Sequence, residues 1–152
     1  MTRRVLVAAL FLSLSLAPLA GCRERSATPE RALPAEPEGP IARPGERLLL
    51  KGAQHHFELE LQPAVPPLGE LFEVVTTVRD AKTGERVRPS GGVVVDATMP
   101  HHGHGMTTRP VHTALEDDRF HTRGMRLHMG GRWLLTVEAD GDRAEIVWEQ
   151  PR

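Results

Sequence analysis

Residues 98–106 read TMPHHGHGM, with three histidines and two methionines in nine positions, broken by a proline and two glycines. Neutral imidazole nitrogen ligates zinc, copper, iron and nickel, and thioether sulfur selects cuprous copper. Gly103 and Gly105 alternate with His102 and His104, so the backbone can fold tightly enough to bring two imidazoles to one ion. The loop offers no Asp or Glu, and calcium and magnesium want oxygen donors. A His/Met set without thiolate or carboxylate points to copper before zinc. The competing reading is a turn shaped by Pro and Gly, with the histidines making hydrogen bonds that hold it.

Elsewhere the chemistry is sparse. There is no G-x-S-x-G and no phosphate loop, so nucleophilic catalysis has no visible frame. Glu116-Asp117-Asp118 is three consecutive acids at a turn, the pattern of a solvated loop. Trp133 and Trp148 read as core aromatics. Metal-assisted hydrolysis would need a positioned acid or base, and the loop lacks one. The expectation is a protein that is not an enzyme.

The N-terminus implies an address. Arg3 and Arg4, the uncharged apolar run Val5 to Leu16, and LAGC at 19–22 form a secretory signal over residues 1–21. The run is too short for a stable membrane span, which takes about 20 apolar residues. LAGC resembles the lipobox of bacterial lipoproteins, in which the cysteine is acylated and becomes the first mature residue. That resemblance implies lipidation at Cys22, an anchor in the membrane, and a domain facing the periplasm or the cell exterior. Cys22 is the one cysteine of the chain. Its use as an anchor removes any disulfide and any thiolate ligand from the fold, and with them a blue-copper site.

Lys and Arg total 19 and Asp and Glu 20. Residues 1–21 hold two Arg and no acid, so without them the balance is about −3, which argues against a nucleic-acid partner. Residues 22–45 follow as the lipidated Cys and a Pro-rich linker, which proline keeps extended. The remaining stretch, 46–152, is long enough for one core and too short for two.

Within 46–152 the positions of the histidines depend on strands. Short alternating runs dominate and helical periodicity is hard to find. The runs fall at 55–61, 70–79, 92–99, 109–115, 119–129, 132–139 and 143–149. Turn signals separate them, including PAVPPLG at 63–69, DAKTGE at 80–85, Gly130-Gly131 as a two-residue hairpin, and Asp140-Gly141-Asp142 as another. Seven short strands in about 100 residues predict an all-β fold, an immunoglobulin-like antiparallel β-sandwich, with a small barrel as the runner-up. If successive strands run alternately up and down, the connections after 61, 99 and 129 share one end. That end would hold His101, His102, His104 and Met106 together with His128 and Met129, and His112 could reach it. His55, His56 and His121 would lie apart from it, as surface residues. Met125 and Met129 share a face with Leu127, which makes each a core candidate as well.

MPHHGHGM, followed by RLHMGGRWLLTV, resembles the YtkA-like domain family over roughly residues 70–149. The first motif stands at Met99, Pro100, His102, Gly103, His104, Gly105 and Met106, and the second at Met129, Gly130 and Trp133. The spacing to Trp133 is one residue longer than the shortest form expected. The resemblance implies an extracytoplasmic immunoglobulin-like sandwich, often a lipoprotein, with a layout similar to the FixH-type proteins of oxidase and copper-pump assembly. Ligand chemistry and strand parity, rather than the resemblance, give the expectation of a lipid-anchored module that binds copper through His101, His102, His104, Met106, His128 and Met129, for buffering or delivery to a membrane respiratory or copper-transport complex. The alternative is a metal-free docking module of a membrane complex.

Overall fold

The computed structural model describes residues 34–39, 41–42 and 45–152. The signal at 1–21, Cys22 and most of the linker lie outside the described residues. Ten strands form: β1 (Ile41–Ala42), β2 (Leu48–Lys51), β3 (His55–Gln62), β4 (Phe72–Asp80), β5 (Val94–Met99), β6 (His104–Gly105), β7 (Val111–Ala114), β8 (Arg119–Met125), β9 (Gly131–Ala139) and β10 (Asp142–Gln150). They make two five-stranded sheets, ordered β1-β10-β9-β5-β6 and β2-β3-β4-β8-β7. Every pairing is antiparallel except β1 with β10. The sandwich expected from the alternation is the one that forms, as two open sheets rather than a closed barrel.

The alternating runs explain the core. Phe57, Leu59 and Leu61 of β3 and Phe72, Val74 and Val78 of β4 face Val95, Ala97 and Met99 of β5 and Trp133, Leu135 and Val137 of β9, all in one buried cluster. Period-two alternation places such residues on one face of each strand. All seven expected runs contain a strand. The two-residue strands β1 and β6 and the four-residue β2 are additional.

Three expectations need correction. Residues 41–42 were assigned to the linker, yet Ile41 and Ala42 pair with Val147 and Trp148 and Ala42 is buried, so the folded part begins before residue 46. The run at 119–129 leaves its ladder at Met125. Gly130-Gly131 is not a hairpin, because β8 and β9 belong to opposite sheets. Competing bonds pull Arg126–Gly130 across the end of the sandwich. The Leu127 carbonyl accepts the Gly69 N–H (2.9 Å), Arg126 Nε–H donates to the Gly69 carbonyl (2.7 Å), and the Leu127 side chain enters the core. Gly131, at φ 117°, takes a backbone conformation that L side chains rarely adopt as the chain enters β9. The other expected hairpin forms: β9 and β10 meet through Asp140 (φ 47°) and Gly141 (φ 80°), a left-handed pair suited to a tight turn.

Beyond its pairing with β6 at Thr98 and Met99, β5 has no strand on its outer side among the described residues. There the Asp96 carboxylate folds back and accepts the Ala97 N–H (2.7 Å).

Candidate metal centre

The histidine loop is the tip of the β5–β6 hairpin. Pro100–His102 form one 3₁₀ turn, Gly103 closes it at φ 69°, ψ 23°, and the Gly103 N–H donates to the Pro100 carbonyl (3.0 Å). Met99 then pairs with His104. Proline starts the turn at a position whose N–H is not needed, and glycine supplies the left-handed residue that ends it. Gly105 packs closely on β5, where a Cβ would sit 3.3 Å from the Ala97 carbonyl oxygen.

This turn lines up imidazoles. Ring centroids of His101 and His102 are 4.5 Å apart, His102 and His104 5.7 Å, and His104 and His128 5.3 Å. The four rings form a row across the pole where the β5–β6 tip meets the Arg126–Gly130 crossover. The end shared by 101–104 and 128 is the one expected from strand parity, although the crossover replaces the hairpin that argument assumed. Two imidazoles sharing an ion, with metal–nitrogen distances of about 2.0–2.1 Å, hold their centroids roughly 4.5–5.5 Å apart. The neighbouring separations fall close to that range. Among the described residues, no group of three or more His, Cys, Asp or Glu forms a ready-made coordination shell. The row therefore offers neighbouring pairs rather than a closed cage.

The ring nitrogens fit a ligand role. His104 Nδ1 lies 3.1 Å from the Gly105 carbonyl oxygen. A carbonyl only accepts, so this contact puts the proton on Nδ1 and leaves Nε2 with a bare lone pair, the arrangement that orients a metal-binding histidine. Nδ1 of His101 and of His128 are both buried and have no hydrogen-bond partner among the described residues. Buried polar nitrogens are almost always paired. Burial, followed by the positive influence of His104 and Arg126, holds the His128 pKa below its ordinary 6.5, so this ring is neutral at pH 7.

Trp133 lies against His104 and His128. It is fully buried, with its ring steeply inclined to His128 (centroids 5.4 Å, 74°) and His104 (6.1 Å, 68°). Its Nε1–H donates to the Met129 carbonyl (2.9 Å) and so fixes the turn after His128. The sequence marked Trp133 as core and as part of a motif but gave it no part in the site. Its spacing of four from Met129 was the available signal.

The two methionines differ. Met106 is half-buried, packs on the core, and its Sδ accepts the Arg126 N–H (3.3 Å), two residues from His128. Met129 is 36% exposed. Met99 and Met125 are wholly core. His112 does not join the row; its Nδ1 meets the Thr122 hydroxyl (3.0 Å) on β8. His55 lies against Asp142 at the other pole, and His121 Nε2 bonds Glu73 (2.7 Å).

Compared with protein-family models, curated proteins and solved structures, the chain matches none.

Proposed function

We propose that this protein is an extracytoplasmic, membrane-anchored β-sandwich of the YtkA-like kind that binds copper at its histidine pole, for buffering or for delivery to a membrane respiratory or copper-transport complex. The observation that carries the reading is the His104–His128 pair. His104 has committed Nδ1 to a carbonyl and keeps Nε2 free, and His128, with its ring centroid 5.3 Å away, holds a buried Nδ1 that nothing among the described residues satisfies. His101 and His102 extend the donor set toward solvent, and Met106 and Met129 supply thioethers at its flank. Bound copper would be held and passed on; the row contains no carboxylate to act as a base, which supports a binding role over a hydrolytic one.

The test is titration of the full chain carrying Cys22→Ser, which removes the thiol as a competing ligand, with Cu(I) and Cu(II). The expected result is one ion bound per chain, lost when His101, His102 and His104 are replaced together by Ala and weakened by His128→Ala. Undiminished affinity in the triple variant would refute the site. The docking alternative draws on the absence of a ready three-donor shell among the described residues. A membrane partner captured equally with and without chelator favours that alternative.

A further inference from the structure

Resting on the copper reading, we infer that the pole is built for monovalent copper, seated at the His104–His128 end of the row with the Trp133 indole as its aromatic wall. Three observations converge on this choice.

The first is charge. Neither Met99–Met106 nor Arg126–Trp133 contains an Asp or Glu. The formal charges in these two stretches are on Arg132, which pairs with Glu36 and Glu149, and on Arg126, whose Nε–H donates to the neutral Gly69 carbonyl. A guanidinium repels a dication about twice as strongly as a monocation at the same distance. The second is softness. Met106, whose Sδ accepts the Arg126 N–H, and Met129, next to His128 in the chain, are the nearby thioethers, and thioether and imidazole donors without carboxylate suit Cu(I). The third is the indole. A cation is attracted to an aromatic face within about 6 Å of the ring centroid, most strongly where water is excluded. The Trp133 ring is fully buried, with its centroid 5.4 Å from that of His128 and 6.1 Å from that of His104, so an ion held between the two imidazoles would have the indole as a neighbour. Its N–H is already committed to the Met129 carbonyl, so the ring is fixed beneath the pair.

Trp148 provides the contrast. It is equally buried and its Nε1–H donates to Gln150 Oε1 (2.9 Å), but no imidazole lies against it. A tryptophan serving the core alone looks like Trp148.

Ag(I), a redox-inert monovalent probe, separates these roles in the full chain carrying Cys22→Ser. The expected result is that Ag(I) alters indole emission in the Trp148→Phe protein, where Trp133 is the sole tryptophan, and that equimolar Cu(II) does not displace it. Trp133→Phe should weaken Ag(I) binding roughly tenfold, the scale of a desolvated cation–π contact, and weaken Cu(II) binding less than that. Should Trp133→Phe fail to fold, emission and competition in Trp148→Phe still decide. Displacement of Ag(I) by equimolar Cu(II), or Ag(I) binding without any change in Trp133 emission, overturns the inference while leaving a copper site in place. Failure of both ions to bind removes the copper reading itself.

Discussion

The two poles of the sandwich use polar groups in opposite ways. At one, Asp142 is 5% exposed, and its carboxylate accepts the backbone N–H groups of Ala53 (2.9 Å), Gln54 (2.8 Å) and His55 (2.7 Å). This ties the turn between β2 and β3 to the β9–β10 hairpin. His55 Nδ1 stands 3.4 Å from the same carboxylate, near enough for ionic attraction but outside hydrogen-bond geometry. Gly52 is needed here, because a Cβ would run into the Asp142 carboxylate. At the other pole, His101 and His128 keep nitrogens that no group among the described residues satisfies. Both poles hold a buried imidazole nitrogen without a hydrogen-bond partner among the described residues, but at the first the Asp142 carboxylate gathers three backbone amides into a closed network that reads as structure. At the second the unpartnered nitrogens belong to an open row of four imidazoles, which reads as a binding site.

The largest effect should come from breaking the closed pole. Asp142→Ala strands three amide donors, and at about 1–3 kcal/mol for each unsatisfied buried group the loss should reach about 3 kcal/mol or more in chemical denaturation. Copper affinity at the far pole should stay within about twofold, since distant sites act independently. A large fall in affinity would mean the poles are coupled.

Next comes the open pole. Copper present at roughly 100 times its Kd should stabilise the native protein by about 2.7 kcal/mol, read as a rise in Tm that chelator reverses. The His101/His102/His104→Ala variant should show no such rise while keeping near-native stability in the apo form. Severe apo destabilisation would give these histidines a structural task like that of Asp142.

Gly103→Ala is a smaller perturbation. It forces a Cβ onto a residue at φ 69°, at a cost of about 1 kcal/mol. It should also weaken copper binding by distorting the turn that sets His102 beside His104. Thermal melting and titration of one preparation check both.

The gentlest test is pH. The pKa of His128 is lowered, by burial first and then by His104 and Arg126, and burial also lowers that of His112. For Asp142, burial pushes upward, but the three amide donors and His55 outweigh it and the net direction is down. A depressed folded pKa means that the unfolded chain binds the proton more readily. Stability is therefore full above the ordinary value and is lost as pH falls. For the histidines this loss begins as pH drops past 6.5, and for Asp142 as it drops past 3.8. Two acid steps are expected in urea midpoints against pH. His128→Ala should shrink the upper step, which His112 shares, and leave the lower one. An unaltered upper step would mean that His128 is not held neutral.

The alternation of HFELEL and WLLTVE was enough to assign strands and inward faces, because burial on one face imposes a two-residue period that tertiary context reinforces. Strand parity put His104 and His128 at one end, although the hairpin it assumed at Gly130-Gly131 is a crossover between the sheets. The crossover was not legible: Gly130-Gly131 carries the local chemistry of a hairpin, and only the distant bonds from Gly69 and Met106 divert the chain. Nor did local pattern reveal β1 in a proline-rich stretch, since its pairing is with Val147 and Trp148, more than 100 residues away. Trp133 was legible as core, but its contact with two imidazoles exists only once the sheets are stacked.

The Asp96 carboxylate on the Ala97 N–H has a colloidal meaning. A half-paired outer strand is a template on which a second molecule can extend the sheet. With that amide already satisfied and a negative charge set at the rim, a neighbouring copy finds one donor fewer to bond and a charged surface to lie against. Molecules crowded side by side can thus stay separate, with their histidine ends free to meet other partners.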